Sequence, residues 1–338
     1  MQIFHCAQCG QQAFFSNLTC NCGAELVFDP EPQKFVSGAN FCANRQMIGC
    51  NWKAENEAGY CRSCAMTTTI PDTFRNKNVR LWQDAEKAKR WVLANLGRWG
   101  WFTNADQGAR PTFNLLSEKT SAGRVPVVMG HADGEITINV MESDPVERER
   151  RRDELSERLR TMTAHFRHEI AHFLFLRLSS DERFLSAFRA RFGDERADYG
   201  AALDRHYAEG APADFQQNYV TRYASSHPHE DWAETAAHAM HLTDIVDSAV
   251  SVRLTHNGVP SATFDAYRET NSVALFRQAF EIGTSLNHVN RSMGMQDIYP
   301  FVISKNVHAK LVFVHEQLIF GAGIKRKAAL GWFVRRKH

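Results

Sequence analysis

The sequence predicts an α+β fold: a small β-rich front module, then a larger, mainly helical domain with a small sheet. Three observations predict it. All eight cysteines lie between Cys6 and Cys64 and none follows, so the chain changes character early. Downstream, Asp84 to Trp99, Thr161 to Leu178 and the stretch after Pro228 place apolar residues at helical spacing. Before the second of these, Ile136, Ile138 and Val140 alternate as a strand with one apolar face would. A chain of 338 residues with 43% hydrophobic and 11% aromatic residues suits about two packed domains. No window approaches the ~18 consecutive apolar residues of a membrane span. MQIFHCAQCG lacks the basic and then apolar run of a secretion signal, so the expected setting is cytoplasmic.

The front module is expected over residues 1–66. It opens with Cys6 and Cys9 in CAQC, followed by Cys20 and Cys22 in TCNCG. A C-x-x-C turn lets two thiolates grip one ion while backbone amides bond the sulfurs, and two grips complete a tetrahedral site. The single-residue gap between Cys20 and Cys22 is tighter than the usual knuckle. A second set follows as Cys42, Cys50, Cys61 and Cys64. Close thiol pairs in a chain without a secretion signal read as metal ligands rather than disulfides. Four thiolates leave no position open for water, so both sites are expected to hold structural zinc, without which so small a module could hardly fold.

The main domain is expected over residues 67–320, with TTTIPD (Thr67 to Asp72) as its linker and an amphipathic helix from Asp84 to Trp99. VPVVMGHADGEITINV then reads as a hairpin turning at Asp133-Gly134. Glu142 to Arg160 is charged and helical, with Asp144-Pro145 as its start, and runs into the stretch Thr161 to Leu178.

That stretch carries H-E-x-x-H as His168, Glu169 and His172. On a helix the two imidazoles share one face, able to hold a metal, with Glu169 beside them as general base. Phe166, Ile170, Phe173, Leu174, Leu176 and Leu178 give the helix a buried character, and a buried helix bearing such groups needs them paired or metal-bound. His165 reads as a satisfied neighbour. Leu178 stands where a metzincin would place a third histidine, so the third ligand is expected to be a carboxylate from a later helix. Glu230 is the favoured candidate, with Glu195 and Glu234 as alternatives. Pro228 and Asp231 mark a helix start, and Glu230, Glu234, His238 and His241 recur on one face. If Glu230 reaches the metal, Glu234 can bond an imidazole N–H and fix its tautomer. Tyr223, seven positions before Glu230, is a candidate donor to the oxyanion of amide hydrolysis.

The stretch from Tyr223 through EDWAE resembles the corresponding part of gluzincin peptidases, in which the tyrosine is a donor and the first glutamate a ligand. Taken together, RHEIAH, FGDERADYGAALDRHY, YASSHPHEDWAETAAHAMH and NRSMGMQDIYPF are similar to the bacterial family of "putative zinc-binding metallopeptidases" with an N-terminal zinc ribbon, over Met1 to about Ile319. The resemblance implies a zincin-like, mainly helical metallopeptidase domain with a small edge-strand sheet behind a double zinc ribbon. In zincin-type peptidases an edge strand before the active-site helix takes the substrate backbone as an added strand, and Glu135 to Val140 is expected in that role. Three features depart from the pattern: Ala171 where many zincins have Gly, His229 at a position often aromatic, and a basic tail.

These readings point to a hydrolase of peptide or protein substrates with one catalytic and two structural zinc ions. The tail, residues 321–338, holds Lys325, Arg326, Lys327, Arg335, Arg336 and Lys337 without an acid, whereas the whole chain has a net charge of only +2. It reads as a solvated end, and nucleic acid is not an expected partner. A different class of function is a zinc-ribbon adaptor, binding protein or nucleic acid, with a silent zincin scaffold. Hydrolysis of a non-peptide amide would share every ligand.

Overall fold

The computed structural model describes residues 3–154, 157–254 and 264–321. The basic cluster of the tail lies outside the described residues. The chain is α+β and divides into two compact units, residues 2–166 and residues 167–338.

Short hairpins build the front of the first unit. Strands β1 (Phe4–His5) and β2 (Gln12–Ala13) pair antiparallel, and Cys6 and Cys9 sit in the turn between them. Strands β3 (Val27–Asp29) and β4 (Lys34–Val36) make a second hairpin. Elements this short bury little apolar surface alone. Their core is aromatic: Phe28 meets Phe4, Phe15 and Phe35 edge-on at centroid distances of 5.4, 5.0 and 5.9 Å. Single turns α1 (Arg45–Ile48) and α2 (Arg62–Ala65) follow. Helix α3 (Asn76–Arg98) begins before the expected Asp84 and adds Trp91 to the cluster, 4.9 Å from Phe15.

The stretch from Thr67 to Asp72 is not simply a linker. It opens with strand β5 (Thr67–Thr69), parallel to β6 (Thr112–Leu116). Three β-branched residues favour extended backbone, and the Thr67 hydroxyl donates to buried Glu86 at 2.6 Å. After a small hairpin of β7 (Lys119–Thr120) and β8 (Gly123–Arg124), the expected hairpin turns at Asp133-Gly134 between β9 (Gly130–Ala132) and β10 (Glu135–Asn139), its first strand lying after the apolar run VPVVM rather than in it. Asp133 and Gly134 take φ of 50° and 90°, the primed turn that matches strand twist.

The four-stranded sheet runs β5-β6-β10-β9, which corrects the expected edge position of Glu135 to Val140. Strand β10 pairs in parallel with β6 along its whole length, and β9 covers Glu135 to Thr137 on its other side. Alternation told correctly that Ile136 and Ile138 are buried. It carries no information on how many neighbours a strand has. A 3-10 turn, Val140–Ser143, then leads to the charged helix α4 (Pro145–Glu154), none of whose residues is buried.

Helix α5 (Met162–Leu178) carries the H-E-x-x-H residues. Phe166, Ile170, Phe173, Leu174 and Leu178 are buried as expected, whereas Leu176 is 48% exposed. In the second unit follow α6 (Glu182–Phe192), α7 (Tyr199–Glu209), α8 (Pro228–Ser251), α9 (Ser272–Ser292) and α10 (Lys305–Phe320). Asp181, Asp198, Asn271 and Ser304 cap α6, α7, α9 and α10 by accepting first-turn N–H groups. Trp232 of α8 is the hub of the core. It is fully buried, its indole donates to Ala171 O at 2.9 Å, and Phe184 meets it edge-on at 5.4 Å. Among the described residues no helix is long and apolar enough to cross a membrane.

Candidate metal centre

Helix geometry brings His168 and His172 onto one face of α5, their rings T-shaped with centroids 4.8 Å apart. Helix α8 supplies the carboxylate. Its N-terminus forms where Pro228 takes the first turn and His227 caps it, accepting from His229 N at 3.1 Å. Glu230, in that first turn, is 1% exposed. His168 Nε2 lies 3.1 Å from Glu230 Oε2, His172 Nε2 lies 3.4 Å from Glu230 Oε1, and the two Nε2 atoms are 3.1 Å apart.

These spacings test the fit of a zinc ion. Ligand bonds of about 2.0–2.1 Å in tetrahedral geometry separate donor atoms by about 3.3 Å. The donor set agrees, with two imidazoles and one carboxylate. Glu230 Oε2 is moreover buried without a hydrogen-bond donor, as is Glu169 Oε2. A buried carboxylate oxygen left without a hydrogen-bond donor is costly, and a cation held with His168 and His172 would satisfy that of Glu230.

One helical turn beyond Glu230, Glu234 accepts from His168 Nδ1 at 2.7 Å, which leaves Nε2 free to face the centre. Burial opposes charge on both partners, but the carboxylates of Glu230 and Glu234 outweigh it and raise the His168 pKa well above the ordinary imidazole value. Glu230, in turn, is held well below the carboxylate range by His172 and His168 despite its burial. Tyr223 lies with its ring 6.1 Å from that of His168. Burial first, and the Glu230 charge second, raise its phenol well above the ordinary value, so it remains a proton donor.

The other candidates are engaged elsewhere. Glu195 is bound by Arg189, with Nε 2.9 Å from Oε2, and takes no place in the His168, His172 and Glu230 group. His165 faces buried Glu142 at 3.3 Å. His229 stacks on His227 and meets Phe175 edge-on at 4.7 Å, and burial lowers its pKa to about 4. His238 meets the Tyr299 hydroxyl at 2.8 Å, so the Asn290 to Phe301 segment packs against α8 beyond Glu234. Arg167 donates to His241 Nδ1 at 2.5 Å and to Asp244 at 2.6 Å. One residue at the centre escaped the sequence reading: Tyr199, whose hydroxyl donates to Glu230 Oε1 at 2.7 Å. In FGDERADYG the glutamate is the candidate the sequence offers, while the tyrosine four positions on carries no spacing signal.

The cysteines gather into two groups of four. Cys6 and Cys22 lie 3.9 Å apart and Cys9 and Cys20 3.6 Å apart; in the second group Cys50 stands 3.7 Å from Cys61 and 3.8 Å from Cys64. A disulfide requires about 2.05 Å, whereas four Zn–S bonds of about 2.3 Å separate sulfurs by about 3.8 Å. Backbone amides of Gln8 and Cys61 point at the sulfurs of Cys6 and Cys42, each at 3.4 Å, as in zinc knuckles. The tight Cys20-Asn21-Cys22 spacing is absorbed by a turn in which Gly23 N donates to Cys20 O at 2.9 Å, with Gly23 φ at 87°.

A family model described as "Putative zinc-binding metallo-peptidase" matches residues 78–317. Uncharacterised proteins of Mycobacterium bovis and Mycobacterium tuberculosis are 38% identical over 327 residues, covering 93% of this chain and 94% of each relative. No solved structure matches the chain.

Proposed function

The chain belongs to the family described as "Putative zinc-binding metallo-peptidase", and on that premise we propose that it is a zinc-dependent peptidase of gluzincin type with a zincin-like catalytic domain. The observation that carries the reading is the convergence of His168, His172 and Glu230, with ligand atoms spaced for a tetrahedral ion. Zinc at this place would polarise the scissile carbonyl and make its water acidic enough to ionise near neutral pH. Glu169, adjacent to His168 and with one buried oxygen unbonded, is the group that would accept a proton from the attacking water and return it to the leaving amine. Glu234 fixes the tautomer and orientation of His168. Tyr223 donates to the oxyanion that develops on the substrate. Two further zinc ions at the cysteine groups are structural, the buried one coupled to folding, and the substrate is a peptide or protein.

The test pairs metal content with hydrolysis. Wild type is expected to carry three zinc ions per chain and His168→Ala two. Glu169→Gln is expected to keep three ions and lose cleavage of a mixed peptide library. Cleavage retained by Glu169→Gln would overturn the mechanism.

A further inference from the structure

Tyr199 opens α7 and is 43% exposed, yet its hydroxyl turns inward to a carboxylate that is 1% exposed. An exposed tyrosine ordinarily leaves its hydroxyl in water, so the surrounding contacts must aim it. They are present. The ring lies edge-on to His227 at 5.2 Å. His227 Nε2 donates to Ala197 O at 3.1 Å, while its Nδ1 accepts the His229 amide, so one imidazole ties the loop before Tyr199 to the N-terminus of α8. Asp198 caps α7 by accepting from Ala201 N at 3.0 Å, which sets where Tyr199 starts the helix. Glu230 therefore receives its partner from a loop that is itself fastened to the helix carrying Glu230.

The two oxygens of Glu230 are treated differently. Oε1 accepts the Tyr199 hydroxyl, whereas Oε2 is buried, has no hydrogen-bond donor and lies 3.1 Å from His168 Nε2. A carboxylate with both oxygens free can grip a cation with both; a phenol donating to Oε1 takes one of its lone pairs and makes it the weaker donor, which favours Oε2. We infer that Tyr199 is a positioning residue that holds Glu230 as a single-oxygen metal ligand and keeps the coordination number at the centre low. This inference rests on the metal-centre reading above and adds to it a residue that touches neither metal nor substrate.

The experiment compares full-length wild type, Tyr199→Phe and, as the same substitution at a 70% exposed position of α7, Tyr207→Phe. Phenylalanine keeps the ring against His227, and retention of two cysteine-held zinc ions confirms folding. The ion that His168→Ala abolishes is titrated against a competing chelator, then replaced by cobalt(II), whose d–d absorption weakens as coordination rises from four to five. Tyr199→Phe is expected to weaken binding of that ion about 10- to 100-fold and to lower the cobalt absorption, with Tyr207→Phe indistinguishable from wild type in both. Wild-type affinity and an unchanged cobalt spectrum in Tyr199→Phe overturn the inference while leaving the metal centre standing. Absence of any His168-dependent ion in wild type overturns the metal centre itself, and the inference with it.

Discussion

What separates Glu230 from Glu234 is the nitrogen of His168 that each faces. Glu230 meets Nε2 and Glu234 meets Nδ1, so a single imidazole is both aimed and made more basic by one helix. Tyr199 donates to Glu230, and on the proposed mechanism Tyr223 would act on the substrate. A donor used only as the oxyanion forms acts on the rate and not on the metal. Tyr223→Phe is accordingly expected to lower kcat about 10²- to 10³-fold with KM and zinc content unchanged, measured by steady-state kinetics on a cleaved peptide. A rise in KM at constant kcat would instead mark Tyr223 as a binding residue. His168, Glu169 and His172 were legible because their relation is local, a spacing of four on one helix face. Glu230 was legible as one of three candidates, since a helix start and a face can be read while the crossing of two helices cannot. Tyr199 was not legible: its use depends on His227, 28 positions away, fastening the loop that aims it.

At the scale of elements, a buried polar contact links α9 and α10. Ser272, the first residue of α9, lies with its hydroxyl 2.8 Å from Nδ1 of the fully buried His315 on α10. Burial lowers the His315 pKa from its ordinary value of 6.5 to about 3, so the folded protein holds this imidazole neutral. The unfolded chain takes up a proton there as pH falls below 6.5 and the folded chain does not. His315 therefore contributes stability that is complete above pH 6.5 and is lost progressively as pH falls toward 3. The loss is on the order of a few kcal/mol. Denaturant midpoints from pH 7 to pH 4 are expected to fall more steeply for wild type than for His315→Asn. Equal slopes would show that the imidazole reaches water before the protein unfolds. Loss of zinc at low pH acts on both proteins alike and drops out of the difference. The elements themselves show what a pattern can carry. Apolar alternation marked the buried face of β10 correctly, but its parallel partner β6 lies some 20 residues earlier, and no local signal encodes that pairing. Strand β5 went unread for a related reason: three threonines lack any apolar alternation, and their extended form is settled by β6 and Glu86.

Among the described residues the three candidate metal positions differ in how far water can reach them. In the first cysteine group Cys9 and Cys22 are exposed and only Cys6 is buried. In the second group Cys42, Cys50, Cys61 and Cys64 are 1%, 0%, 0% and 5% exposed, and Arg90, itself buried on α3, sets its positive charge near Cys50, Cys64 and Cys61. Four thiolates around a dication carry a net negative charge, so a buried guanidinium beside them lowers the cost of burying the site. A chelator reaches an exposed ligand set directly, but meets the second group only after the packing of α3 and the aromatic core around it has opened. Metal binding and folding are therefore expected to be one event at the second group and two at the first. Under graded chelator, zinc should leave the His168 centre and the Cys6 group while far-UV circular dichroism keeps its native shape. The last ion should leave together with cooperative loss of structure. Cys9→Ser is expected to purify folded with two ions, whereas Cys50→Ser should lower the thermal midpoint sharply or abolish soluble expression. Release of all three ions from a chain that stays folded would show that the buried cysteines are held by the core alone and that zinc there is a passenger.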